Sequence, residues 1–265
     1  MAFENEKDHP EVAPSQFELN YTYAPALIAA DQLQIYKLLA RQIASNLGMT
    51  ASFLPKPISG INGSGMHTNM SLTKDGKNIF HDANGQDGLS ATGWDFVDRI
   101  LSNANDILLT LNSSVNAYRR LDPNFEAPNQ IRASAVDRTS MIRIPLGNEK
   151  SARMEVRVVA PDSNPYLAFY TLVKTGLEGP KDSAISADTR QDSAGALPAN
   201  IYSAAENFEK SAWMTELLGE NNKTKYLECK MVAADRCAKE LGSKVKTGEV
   251  LYHHEVTNQS IWKDY

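Results

Sequence analysis

The densest chemistry in the chain sits in Arg153-Met154-Glu155-Val156-Arg157. In a strand, alternate side chains share a face, so Arg153, Glu155 and Arg157 project together while Met154, Val156 and Val158 form an apolar reverse. A lone Arg-x-Glu-x-Arg is more often an ordinary exposed strand. Here Arg138 and Arg143 add two cations around a neighbouring strand. Converging guanidinium groups suit phosphate and carboxylate ligands, because each donates two parallel hydrogen bonds.

Three further segments carry reactive residue types. In Asn62-Gly63-Ser64-Gly65-Met66-His67, a glycine-rich turn feeds a strand that presents His67, Asn69 and Ser71 on one face. Glu11 and Glu18 straddle a turn, with Glu18 on the polar face of another strand. Carboxylates joined by one imidazole are a ligand set for magnesium or manganese, and the imidazole favours tolerance of manganese. The segment from Arg119 to Pro128 places two adjacent arginines and the acid Glu126 on a polar loop suited to act as a lid. His253-His254-Glu255 is a decoy, since adjacent histidines diverge on a helix.

The elements that position these groups follow from periodicity. Gln16–Tyr23 alternates as a half-buried strand, and 25–47 is a long helix with Leu27, Ile28, Leu33, Ile35, Leu38, Leu39 and Ile43 at helical spacing. Strands are expected at Thr50–Leu54, Met66–Leu72, Thr139–Pro145 and Ala152–Ala160, with a hairpin turn at Asp75-Gly76. Residues 90–112 read as one helix, 114–130 as a loop, and Asn164–Leu177 as a helix opening on Asn164-Pro165. Residues 179–200 are small and polar, an insertion or linker, before helices near 202–218, 222–241 and 248–262. Strands and helices mix without a βαβ rhythm, so the fold class is α+β.

Composition narrows the classes. Across 265 residues, 42% hydrophobic and 22% charged composition excludes disorder and fibrous repeats. Twenty-seven basic against 32 acidic side chains, net −5, argues against nucleic acid as a partner. No apolar run reaches membrane-span length, and the polar, acidic start is no signal peptide, so the expectation is cytoplasmic with no membrane partner. On one helix Cys229 and Cys237 would lie about 12 Å apart, too far to bridge, which fits a reducing compartment.

Taken in order, EVAPSQFELNY, FLPKPISGINGSGMHTNMSL, NAYRRLDPNFEAPNQ, DRTSMIRIP, ARMEVR and APDSNPYLAFYTLVKTGLEG closely resemble the C-terminal catalytic domain of bacterial type I glutamine synthetase. The resemblance implies a curved antiparallel sheet flanked by helices, of the glutamine synthetase/guanido kinase-like kind, and ATP-dependent joining of ammonia to glutamate through γ-glutamyl phosphate. It carries metal ligation (Mg²⁺ or Mn²⁺) onto Glu11, Glu18, His67 and Glu155. Catalytic roles fall on Glu126 and Arg138, glutamate binding on Asn62, Gly63, Arg120 and Arg157, and nucleotide contacts on Asn69, Ser71, Arg143 and Arg153. Family members also carry an N-terminal β-grasp domain and two further metal-binding glutamates, and they assemble as stacked hexameric rings. The expectation for residues 1–265 is thus an amino-terminally truncated catalytic domain, incomplete at its N-terminus. It would hold part of a shared site, with doubtful assembly, weak activity alone and an exposed apolar surface. His9-Pro10 replaces the family's paired histidine before the first glutamate. The competing expectations are a ligase using a larger amine, and a non-catalytic scaffold.

Overall fold

The computed structural model describes residues 4–125, 127–182 and 193–234. The centre is a four-stranded sheet in the order β3 (Thr68–Met70), β8 (Met154–Val156), β7 (Ser140–Arg143) and β6 (Gln130–Ser134). β8 runs antiparallel to both β3 and β7, whereas β6 and β7 are parallel. The sheet is therefore mixed, a correction to the all-antiparallel expectation. A tight turn does this: Asp137 accepts from both the backbone N–H and the hydroxyl of Thr139 at 2.8 Å, and the chain doubles back to the start of β6.

Register sorts the residues by face. Asn69, Glu155, Arg143 and Ser134 align in one row, and Thr68, Val156, Ile142 and Ala133 in the next. Val156, Ile142 and Ala133 of the second row join the buried core with Phe96, Ile100, Leu108 and Leu172. These belong to α2 (Ala91–Ser102), α3 (Ala104–Leu111) and α5 (Pro165–Glu178). Gly176 of α5 is the point of closest approach, since a Cβ there would lie 2.3 Å from the Phe96 ring. Asn164 caps α5 by accepting from the Tyr166 and Leu167 N–H groups, with Pro165 in the first turn as expected.

Elsewhere the chain departs from its periodicity. The single helix expected over 90–112 is α2 and α3, split where the Asn103 amide donates to Arg99 O at 2.7 Å and Pro180 O at 2.8 Å. The expected loop 114–130 holds α4 (Val115–Arg120), capped by Ser114, and a 3-10 turn at Pro123–Phe125. Thr50–Leu54 carries no ladder, and Asp75-Gly76 does close a short hairpin, β4 (Thr73–Lys74) with β5 (Lys77–Asn78). Asn5–Pro10 forms an unforeseen strand, β1, paired with β2 (Phe17–Tyr21). Three helices, α6 (Ile201–Lys210), α7 (Ala212–Leu218) and α8 (Glu220–Ala234), finish the described chain. Cys229 is a free, exposed thiol on α8, while Cys237, the helix expected near 248–262 and His253-His254-Glu255 lie outside the described residues.

The helix expected over 25–47 is α1 (Ala26–Asn46), yet it buries only Ala30, Leu33 and Lys37. At 100° per residue those three form one narrow stripe. Leu27, Ile28, Ile35 and Leu38 lie off that stripe on the flank and the far side, 45–68% exposed. Of the seven apolar residues whose spacing announced this helix, Leu33 alone is fully buried.

Candidate functional site

The row containing Glu155 forms the heart of the site. Glu155 is 3% exposed and accepts through Oε1 from Arg157 Nη1 at 2.9 Å; the same oxygen lies 3.1 Å from His67 Nδ1. Arg143 Nη2 stands 2.5 Å from Oε2, but not along a hydrogen-bonding direction, so Oε2 is buried with no aligned donor. Arg143 Nε and Arg157 Nε are likewise buried without a hydrogen-bond partner. Burial pushes the Glu155 carboxyl up; His67, Arg143 and Arg157 outweigh it, so the group ionises below the ordinary glutamate range. Burial also lowers His67, against the pull of Glu155 and with help from Arg120 and Arg157. A neutral imidazole beside an ionised carboxylate is the protonation state that ligates a cation.

A second cluster sits on the β1–β2 hairpin. Register places His9 opposite Glu18, and His9 Nδ1 lies 3.7 Å from Glu11 Oε1. Ligand atoms of His9, Glu11 and Glu18 all fall within 4.8 Å of one another. Burial raises the Glu18 carboxyl, but its hydrogen bonds with Glu11 and Asn20, and the charges of His67 and His9, bring it below the usual value. Glu18 is thus within electrostatic reach of His67. The hairpin is pinned toward that histidine by Gln16, whose amide donates to Gly63 O at 2.9 Å and Ser64 Oγ at 3.0 Å.

The four expected ligands therefore gather as two linked groups, Glu11 with Glu18 and His67 with Glu155. The donor set fits a hard divalent cation. His67 Nδ1 and Glu155 Oε1 are 3.1 Å apart, close enough for both side chains to reach one cation.

Other expected residues fall in varied places. Arg153 donates from Nε to Asn69 Oδ1 at 2.9 Å, joining two nucleotide candidates across β3 and β8, and Ser71 is exposed just beyond β3. Arg120 lies under the site: 4% exposed, it donates to Val158 O at 3.2 Å and Arg157 O at 2.9 Å. Its Nη2 reaches within 3.5 Å of His67 Nε2, and burial brings its pKa down to about 10. Arg138 occupies an exposed turn between β6 and β7. Asn62 donates weakly to Phe125 O at 3.4 Å, and Glu126 lies outside the described residues.

The glycine-rich turn has a packing explanation. A Cβ on Gly65 would sit 2.4 Å from Arg120 Nη2 and 3.0 Å from His67 Nε2, and one on Gly63 would sit 2.4 Å from Pro55 O. Sequence reasoning missed His9 as a ligand candidate and Gln16 as the hairpin's anchor. The signal for His9 was the alternation of β2 continued across a hairpin, which sets His9 beside Glu18.

Carboxylate and imidazole side chains beside clustered guanidinium groups are the residue types that can hold a divalent cation and anionic ligands together. The chain belongs to the glutamine synthetase family: the model of the glutamine synthetase catalytic domain matches residues 1–245. It is similar to the glutamine synthetase of Thermus thermophilus, 39% identical over 248 residues, covering 89% of this chain and 56% of that protein. The enzyme of Clostridium saccharobutylicum is 39% identical over 234 residues, 83% of this chain and 53% of that protein. That of Methanosarcina mazei is 37% identical over 254 residues, 91% and 55% respectively. The chain thus spans about half the length of these relatives. Among the described residues, no helix is long and apolar enough to cross a membrane.

Proposed function

We propose that this chain supplies the catalytic half of a glutamine synthetase, joining ammonia to the side-chain carboxylate of glutamate with ATP as phosphoryl donor, in the cytoplasm and as part of a homo-oligomer. Its sheet would be the central part of the family's curved sheet. The observation that carries this reading is the Glu155 node: one buried carboxylate contacted by His67, Arg143 and Arg157 on a single face, in a member of that family.

Chemically, the glutamate carboxylate attacks the terminal phosphoryl group of ATP, giving γ-glutamyl phosphate and ADP; ammonia then displaces phosphate. Bound Mg²⁺ or Mn²⁺ would neutralise phosphate charge there, held by Glu11, Glu18, His67 and Glu155, with His9 beside them. Arg143 and Arg153, with Asn69 and Ser71, would receive the nucleotide. Arg157, Asn62 and Gly63 would orient glutamate, and Arg138 would stabilise charge on the transferring group. Arg120 supports the glutamate side from below, holding the main chain at Arg157 and Val158. Glu126 would attract ammonium and accept its proton.

The test is manganese binding by electron paramagnetic resonance, alongside glutamine formation from glutamate, ATP and ammonium. Glu155→Gln should weaken manganese binding by about 10–100-fold, with thermal unfolding recorded to separate ligand loss from fold loss. Undiminished manganese affinity in that variant would overturn the assignment.

A further inference from the structure

On the other side of the glycine-rich loop lies a cavity of ≈390 Å³, lined among others by Lys56, Gly60, Tyr118, Arg119, Phe125 and Tyr202. Lys56 is 7% exposed, and its charge is held in an unusual way. Its Nζ donates to Ile61 O and sits 3.7 Å from the centroid of the Phe125 ring. No carboxylate among the described residues forms an ion pair with it. Its main chain is clamped by the buried Asn116 side chain, which accepts from Lys56 N–H at 2.7 Å and donates to Lys56 O at 3.0 Å. Beside it, Ser64 N–H donates to Pro55 O at 2.8 Å.

These contacts tie two segments to one ammonium, and Asn116 anchors the Lys56 main chain to α4. Ile61 O is the carbonyl directly before Asn62 and Gly63. Phe125 closes the 3-10 turn that leads into Glu126. Asp122, lining the same cavity, supplies an opposing charge without forming an ion pair with this lysine, and a neutral side chain of the same length would pack there at lower cost. A cation over an aromatic face does what an apolar side chain cannot, because the attraction fixes the ring's position electrostatically.

We propose that Lys56 is a positioning residue for the amino-acid substrate. Through Ile61 O and the Phe125 ring it sets the distance between the Asn62-Gly63 loop and the turn preceding Glu126, and so shapes the glutamate subsite from behind. This rests on the proposed function. The nucleotide side should be indifferent, because Arg153 and Asn69 hold one another across β3 and β8 without involving this loop.

Calorimetry on the full chain, with Mg²⁺ and a non-hydrolysable ATP analogue, tests the idea. Glutamate and nucleotide affinities are measured separately. Lys56→Met should weaken glutamate binding about tenfold and leave the nucleotide within about twofold. Lys56→Arg should restore most of the loss, since a guanidinium also binds an aromatic face. Phe125→Leu should reproduce the Lys56→Met effect, and the double variant should be no worse than either single one. Unchanged glutamate binding, equal weakening of both ligands, or additive losses in the double variant would each overturn the proposal. Phe125→Leu decides the matter if Lys56→Met fails to fold. Wild-type chain that binds nucleotide but no glutamate would sink the glutamate subsite itself, a result distinguishable from a silent Lys56 substitution.

Discussion

Residues 5–60 and the body formed by the sheet with α2, α3 and α5–α7 follow the same patterning rules to opposite ends. In the body, apolar periodicity and burial coincide: Phe96, Val97, Ile100, Ile107 and Leu108 of α2 and α3 are all sealed. In the amino-terminal region the same periodicity faces outward. Phe17 is 69% exposed and Tyr23 is 91% exposed, and α1 turns Leu27 and Leu38 to solvent. What docks α1 is a small and partly polar stripe, with Tyr166 donating to Asp31 at 2.6 Å and Lys37 donating to Pro161 O. The contrast teaches that amphipathic spacing reveals which face of a helix is apolar, but not whether the same chain covers it. Such a contiguous face is characteristic of a surface that meets another protein surface.

The comparison breaks most sharply under large-to-small substitution. Phe96→Ala should cost about 4 kcal/mol of stability, because Gly176 and Phe80 leave the ring tightly enclosed. Leu38→Ala should change stability by less than about 0.5 kcal/mol. Denaturant unfolding of both variants measures the gap, and similar losses would show that α1 is packed after all.

The tie between the two regions should respond to pH. Burial brings the Lys37 ammonium down to about 8, against the opposing charge of Asp162. Below that pH both folded and unfolded chains carry the proton. Between about 8 and 10.5 only the unfolded chain keeps it, so this group's contribution rises with pH by about 3 kcal/mol across the window. Lys37→Met should remove that rise. Stability curves of wild type and variant that stay parallel from pH 8 to 10 would contradict it.

The smallest expected effect concerns the open face itself. Leu27→Lys with Leu38→Lys should leave the melting temperature within a few degrees while reducing dye binding and self-association on a sizing column. Unchanged association would mean that α1 is not the adhesive surface.

Much of the site was legible because it depends on alternation. The period of two in Arg153–Arg157 placed Glu155 and Val156 on opposite faces, as the register bears out. Arg120 was not legible: its position next to Arg119 says nothing about depth, and it became a buried brace only because Gly65 leaves room for its guanidinium. β1 was hidden too, since Asn5–Pro10 is polar on both faces and has no alternation to display.

The α+β class, the family and the residue types able to ligate a cation or bind an anion were all readable from the linear chain. Those properties reside in local order, in spacing along the chain and in the chemistry of single side chains. Only the tertiary structure decided that His67 meets Glu155, that His9 joins Glu11 and Glu18, and that one face of α1 stays uncovered. Each of these is a pairing between segments distant in the chain, set by strand register and by which surfaces find a partner to bury against.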